Sequence, residues 1–402
     1  MPNWLTTQRA CPIGIDFCAS GAKLVQLRRG RNGFSLIDTA RIDMPLYQEA
    51  EPPTSARLED LCDAIKRTIE TERFIGRKCV LAVENRFLRV RSVRQPSMPP
   101  DELRRAITLE AHSRLGFGEG EESQFGWLTA GEVTQGEARG QEVILVGART
   151  DPIQRMVMAL ARRGLIAVAV EPAFVGCARC FTRFIRRASE QQDVHAVVDI
   201  GLHSTGVMLL RGKNIAFYKP LEFGGEKMAK SAAERLGLDL EAVRELRLQQ
   251  LRAGSGSGIT PDPKVDRAIF EGVRPLIGDL AREVALCIRY YSVTFRGSRP
   301  RACMVVGGEA STPHLVDVLG EELRIETHLG ESLRHVRDPG SKEMWKSPAG
   351  SGGEWAVALG LGLRFWEQND RKSIWQRAKA RSSGRRTDGV TARVAEEGRQ
   401  AA

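Results

Sequence analysis

The chain has 402 residues, 42% of them hydrophobic and 27% charged, a balance found in globular proteins rather than disordered or fibrous ones. That length exceeds what one hydrophobic core fills and points to roughly two to four compact units. No run of about 18 apolar residues occurs, so no membrane-spanning helix is expected. The net charge of +10 is concentrated from Arg371 to Ala402, where nine Lys/Arg stand against three Asp/Glu. The rest is only mildly basic, which argues against a dedicated nucleic-acid binder.

The first strand is read in "PIGIDFCASGAKLVQL", residues 12–27. An apolar run ends at Asp16, passes through small residues and resumes behind Lys23. Two structures fit such a stretch: an ordinary hairpin with a polar tip, or a turn whose exposed N–H groups bind phosphate beside a metal-organising aspartate. The following residues to Pro45 read as two strands around an Arg-Asn-Gly turn. Leu58, Leu61, Ile65 and Ile69 give residues 55–73 helical spacing, and "CVLAVE" and "FLRVRSV" follow as strands. "PSMPP" at 96–100 punctuates, and Asp101 is placed to cap a helix "ELRRAITLEAHSRL". Two strand-like runs, a helix from Asp151-Pro152 to Arg163, a short strand "LIAVAVEP" and a helix "AFVGCARCFTRFIRR" come next. The block from 96 to 168 reads as a small α+β insertion. "CARC" within the last helix has no second cysteine pair, and with the other six cysteines it reads as buried thiol rather than a metal site.

The pattern then restarts. "VHAVVDIGLHSTGVMLLRGKNIAFYKPLEFGGEKMAK" is again an apolar strand ending in aspartate, a small polar turn and a hairpin, then Gly-Gly and a helix. This internal echo implies two related halves and sets Asp16 and Asp199 at equivalent strand ends. Two aspartates facing each other, each beside a turn of free amides, suit Mg²⁺ bound through water and a polyphosphate held by backbone. Helices are expected over 225–251 and 264–296. A buried strand then ends at Gly307-Gly308, with a helix that Pro313 can start. Small faces on two helices, Ala173, Gly176 and Ala178 on one and Ala356, Ala358, Gly360 and Gly362 on the other, permit close crossing, as a hinge or as plain tight packing.

Strand-Asp-turn, its repeat, strand-Gly-Gly and the two small-faced helices together resemble the actin/hexokinase ATPase superfamily. Within it, "IGIDFCASGAKLVQL", "VVDIGLHSTGVMLL", "AREVALCIRYY" and "MVVGGEASTPHLVDVLGEEL" resemble, in order, segments of the PilM family of type IV pilus assembly proteins, relatives of FtsA, over about residues 12–366. The resemblance implies an α/β, actin-like (ribonuclease H-like) two-lobed fold with duplicated mixed sheets and an inserted FtsA-like α+β subdomain. Subdomain 1A would comprise 1–95 and 169–192 with a C-terminal helix at 354–366, and 1C would be 96–168. Subdomain 2A would comprise 193–225 and 300–353, and 2B 226–299, leaving 367–402 as a basic, disordered tail. The expected cofactors are ATP and Mg. Asp16, Cys18, Ala19, Ser20, Gly21 and Lys23 would form the first phosphate loop, and Asp199, Gly201, His203, Ser204 and Thr205 the second. Gly224, Gly225, Lys227, Gly307, Gly308, Glu309 and Ser311 would surround the nucleoside. Asp16 and Asp199 would organise Mg through water, and Glu171 would stand near the γ-phosphate as the catalytic candidate.

The same resemblance implies a cytoplasmic protein peripheral to the inner membrane that assembles into a ring or filament. It would bind the N-terminal segment of a PilN-like membrane protein in a groove near Leu103 and Ile107. The basic tail, preceded by Trp366, Ile374 and Trp375, is a candidate for membrane-surface contact. Three positions depart from the family pattern: Cys18 and Glu309 stand where glycines are usual, and Ala229 where threonine is frequent. These departures bear on hydrolysis more than on binding. An FtsA-like division protein and a small-molecule kinase of the same superfamily are the alternatives. The tail lacks the sustained apolar spacing of an FtsA membrane helix, and no aspartate stands apart as a kinase's base.

Overall fold

A computed structural model describes residues 10–30, 33–45, 54–135, 138–185, 187–253, 262–336 and 352–364. Strands β1 (Ile13–Cys18), β2 (Gly21–Gly30), β3 (Gly33–Asp43), β4 (Lys78–Val83) and β8 (Ile166–Pro172) form one sheet in the order β3-β2-β1-β4-β8. The first three are antiparallel neighbours, whereas β1, β4 and β8 run parallel. A second sheet repeats this plan with β9 (Val194–Ile200), β10 (Thr205–Arg211), β11 (Asn214–Leu221), β12 (Ala302–Val306) and β13 (Glu326–Leu329), ordered β11-β10-β9-β12-β13. Here too the first three strands are antiparallel and the last three parallel. The echo in the sequence is therefore a duplicated sheet, and the expected two-lobed α/β architecture is observed.

Parallel strands covered on both faces need apolar side chains throughout, and Ile13, Ile15, Cys79, Val80 and Leu81 are each fully buried. Helix α1 (Ser55–Thr71) covers one face of the first sheet. Thr54 caps it, and Leu58, Leu61, Cys62, Ile65 and Ile69 form its inward stripe. Helix α3 (Thr150–Ala161) packs beside it, with Met156, Ala159 and Leu160 in the same core. Between the two lobes lie α4 (Ala173–Thr182) and α9 (Ala356–Gly362). Their residues share a core with Val80 of the first sheet and Val197, Met208 and Val306 of the second. The contact is backbone to backbone. A Cβ on Gly360 would fall 1.8 Å from the Gly176 carbonyl oxygen, and one on Gly14 in β1 would fall 2.0 Å from that of Ala358. The small faces read from the sequence thus meet as a close crossing.

A third sheet, β5 (Arg89–Pro96), β6 (Ser123–Gln135) and β7 (Ala138–Arg149), is ordered β5-β7-β6 and carries helix α2 (Pro100–Arg114). Two features here differ from the sequence reading. Strand β5 begins at Arg89, before the insertion expected from residue 96, yet pairs along its whole length with β7, and α3 packs in the core of the first sheet. Asp101 lies in the first turn of α2, where its charge complements the helix dipole, while Pro99 is the N-cap.

The second lobe is completed by α5 (Gly225–Leu236), α6 (Leu240–Ala253), α7 (Pro263–Phe295) and α8 (Leu315–Leu323). The single helix expected over 225–251 is broken at Gly237, whose φ of 63° ends α5 in a left-handed cap. Helix α8 begins after His314, beyond Pro313, and α4 ends at Thr182, short of the helical run expected there. No helix among the described residues is long and apolar enough to cross a membrane. Trp366, Ile374, Trp375 and the basic tail lie outside the described residues.

Candidate functional site in the interlobe cleft

In open α/β sheets, ligands gather at the carboxyl ends of the parallel strands. Here β1, β4, β9 and β12 direct those ends into one cavity of about 240 Å³ between the lobes. Of the residues expected to bind phosphate or nucleoside, Asp16, Cys18, Ala19, Ser20, Lys23, Asp199, Gly201, His203, Ser204, Gly225, Gly307, Gly308, Glu309 and Ser311 line it. Gly21, Thr205 and Gly224 shape the turns behind its wall. Gly21 has a φ of 135° and packs on the Ile42 carbonyl. The Thr205 hydroxyl donates to the Phe223 carbonyl at 2.9 Å, and Gly224 lies against the Leu202 carbonyl. Lys227 is exposed on α5, outside the cavity lining.

Asp16 is buried and Asp199 half-buried in this wall. Burial raises the Asp16 carboxyl to about 7; Lys23, its cross-strand neighbour on β2, offsets part of this, while the Asp199 and Glu84 charges add to the rise. Burial likewise raises Asp199 to about 6, against the opposing Lys23 charge and a hydrogen bond with the Asn85 side chain. Asn85 accepts in turn from the Phe174 amide of α4 at 3.1 Å, so it joins the Asp199 strand to the first lobe. The Lys23 ammonium lies 3.7 Å from the Glu354 carboxylate, which also takes Arg41 at 2.9 Å. Two desolvated carboxyls, one buried and one half-buried, sharing one lysine favour a bound cation. Among the described residues no cluster of three or more His, Cys, Asp or Glu could cage a metal, so a cation here must complete its shell with water or ligand oxygens. That is the way Mg²⁺ is usually held.

Glu171 requires a correction. It is 1% exposed and does not line the cavity. Both its oxygens accept from Arg179, at 2.8 and 3.1 Å, and Arg364 of the segment after α9 also bonds to it. Arg179 donates as well to the Gly360 carbonyl at 2.9 Å. Glu171 therefore clamps β8, α4 and α9 together. A carboxylate committed to two guanidiniums is a poor proton acceptor. Sequence reasoning missed Glu84, Asn85, Arg244, Arg247 and Glu354. The first two were within reach, since Glu84-Asn85 directly follows a strand parallel to β1 and so must emerge beside Asp16.

The signature of the family described as type IV pilus assembly protein PilM matches residues 14–366. The chain belongs to the PilM family. A solved structure described as a PilM-PilN type IV pilus biogenesis complex shares its fold with a TM-score of 0.70 at 23% identity, covering 88% of this chain and 98% of that one. The ethanolamine utilization protein EutJ from Carboxydothermus hydrogenoformans superposes with a TM-score of 0.48 at 16% identity, covering 88% of this chain and 89% of that one. Membership favours the pilus-assembly reading over the division-protein and kinase alternatives.

This PilM chain has a second cavity, of about 280 Å³, where the third sheet meets the first lobe. Phe17, Leu61, Phe87, Phe117, Ile153 and Met156 contribute apolar surface, and Arg57, Arg86, Arg89, Arg149 and Arg155 also line it, with Glu84 as the acid. Arg86 lies over the Phe87 ring at 4.4 Å and Arg89 over Phe117 at 4.3 Å. Leu103 and Ile107, expected to border a peptide groove, do not reach it. They are 5% and 1% exposed and pack under their own sheet against Val93, Trp127, Val143 and Leu145.

Proposed function

We propose that this PilM-family chain is a Mg–ATP-binding assembly protein of a type IV pilus or related secretion machine, holding the N-terminal segment of a PilN-like membrane protein at the cytoplasmic face of the inner membrane. The observation that carries the nucleotide half is the pair of aspartates at duplicated strand ends, one buried and one half-buried, sharing Lys23. Asp16 and Asp199 would hold Mg²⁺ through water, with Asn85 keeping Asp199 aimed into the cleft. The amides of the turns at 18–21 and 201–205, with Lys23, would take phosphate oxygens. Bound there, the nucleotide supplies a polyphosphate that both lobes grip at once. Isothermal titration with Mg–ATP tests this: Asp199→Ala is expected to weaken binding at least tenfold, or by about 1.4 kcal/mol. A wild-type chain with no nucleotide affinity would sink the reading.

The partner half is supported by the shared fold with a protein solved as a PilM-PilN complex and by the second cavity. Its apolar floor suits an extended peptide, and its arginines suit carboxylate or carbonyl oxygens on that peptide. A synthetic N-terminal peptide of the PilN-like protein is expected to bind with micromolar affinity, and Phe87→Asp to abolish binding. Equal binding to wild type and Phe87→Asp would show that the peptide lies elsewhere.

A further inference from the structure

One part of the cleft, beside the turn that follows Asp199, is walled by charge: the Glu309 amide donates to the Ile200 carbonyl and the Gly225 amide to the Gly201 carbonyl, each at 3.1 Å. Glu309 follows Gly307-Gly308 in the turn between β12 and α8. Its Oε2 accepts from Arg247 Nη2 at 2.6 Å and from the Thr312 hydroxyl at 3.4 Å. Arg247 belongs to α6, so the pair ties one wall of the cavity to another. Both partners are buried, Arg247 at 4% and Glu309 at 7% exposure. The Glu309 side chain lies directly over Gly225, the first residue of α5: a Cβ there would fall 2.0 Å from Oε1 and 2.3 Å from Cδ. One turn back along α6, Arg244 pairs with Glu226 of α5 at 2.5 and 3.1 Å. Leu248, Leu251 and Ala229 supply the apolar surface of this part.

We propose that Glu309 sets what this part of the cleft accepts. With its pair to Arg247 made, the cleft takes a Mg-bound polyphosphate readily and a nucleoside poorly. The inference rests on the nucleotide-binding reading above. The family resemblance sets the nucleoside against Gly224-Gly225 and Gly307-Gly308, and the Glu309 carboxylate fills the space over Gly225. Displacing that carboxylate breaks a buried ion pair and leaves Arg247 without its counter-charge, which is unfavourable. The Glu309 side chain bonds to Arg247 and Thr312 and not to Asp16, Asp199 or Lys23, so its removal leaves those groups and the backbone of the two turns in place. Binding energy from the base is therefore offset where the polyphosphate's is not.

The test titrates the full chain with Mg–ATP and, separately, with Mg–tripolyphosphate. In the wild type, ATP is expected to bind no more than a few-fold more tightly than tripolyphosphate. Glu309→Gly should raise ATP affinity at least tenfold and leave tripolyphosphate within threefold. Glu309→Gln keeps the bulk but loses the charge, and should give a smaller gain for ATP alone. The double variant Glu309→Gly/Arg247→Gln leaves no buried cation unmatched and should reproduce the full gain. If Glu309→Gly does not melt cooperatively, the glutamine and double variants decide. Unchanged or weakened ATP binding across the folded variants overturns the proposal. So does an equal gain for both ligands, because a freed Arg247 would then simply be attracting phosphate. If tripolyphosphate binds and position 309 has no effect on ATP, only this proposal falls. If neither ligand binds any variant, the nucleotide reading falls with it.

Discussion

Replacing Asp16 by asparagine should make the ligand-free protein more stable, in a manner set by pH. The folded chain holds this carboxyl at about 7 where the ordinary value is 3.8, chiefly through burial. Between those two values the folded state binds more proton than the unfolded state, so wild-type stability falls as pH rises and the loss is complete just above pH 7. The full difference corresponds to about 4 kcal/mol at pH 8 and about 1.5 kcal/mol at pH 5. Asparagine keeps the shape and never ionises, so it avoids the loss. Urea denaturation in EDTA at pH 8 and pH 5 reads this directly, and the Asp16→Asn advantage should be large at pH 8 and shrink at pH 5. Adding Mg–ATP at pH 8 should stabilise the wild type and not the variant, by mass action on the folded state. An asparagine variant no more stable than wild type at pH 8, or equally advantaged at both pH values, would refute the argument. It would mean that the site is already solvated or neutralised without ligand.

Three further outcomes follow from the packing. Glu171→Gln should destabilise the chain by about 3–5 kcal/mol, because Arg179 and Arg364 lose a buried carboxylate; a variant with wild-type melting would return Glu171 to the list of catalytic candidates. Gly360→Ala places a methyl group against the Gly176 carbonyl and should cost about 1–3 kcal/mol or more in thermal unfolding, whereas an unchanged midpoint would show that α4 and α9 part easily. Steady-state ATP turnover should be slow, and Cys18→Gly should leave it equal or faster, since the Cys18 side chain lines the cavity beside Asp16; a wild-type rate of several per second, ordinary for a working enzyme, contradicts this.

Much of the site was legible because it is built from local, repeated signals. A strand that ends in aspartate and turns on small residues looks the same at Asp16 and at Asp199, and a duplicated fold places both at the same point of duplicated sheets. What escaped depends on partners distant in sequence. Glu171 reads as an acidic residue closing a strand toward the cleft, and only the arrival of Arg364 from the far end of the chain reveals a clamp. Arg244 and Arg247 in "EAVRELRLQQLR" look like one solvated face of a helix until α5 and the Gly307-Gly308 turn supply their glutamates. Leu103 and Ile107 lie four residues apart on one face of α2, and that face packs on the strands of its own subdomain, the ordinary outcome for apolar residues at helical spacing, rather than bordering a groove. The place of β5 was hidden: a strand's sequence does not say which sheet will hold it, and here β7, which comes later in the chain, decides.

The seam between β1 and α9 has a consequence for how the protein is made. Gly14 and Ala358 touch backbone to backbone, so strand β1 waits for α9, a helix synthesised long after it. At ~5–20 residues per second of synthesis, that wait is on the order of tens of seconds. Throughout it, the part of the first sheet that later meets α9 lacks that helix, although its hairpin, α1 and, once residue 182 is made, α4 are already available. The nascent first lobe is thus an exposed apolar sheet with a defined duration, a natural client for a chaperone at the ribosome. Chains arrested before residue 352 should remain bound to that chaperone, whereas chains released beyond residue 364 should escape it.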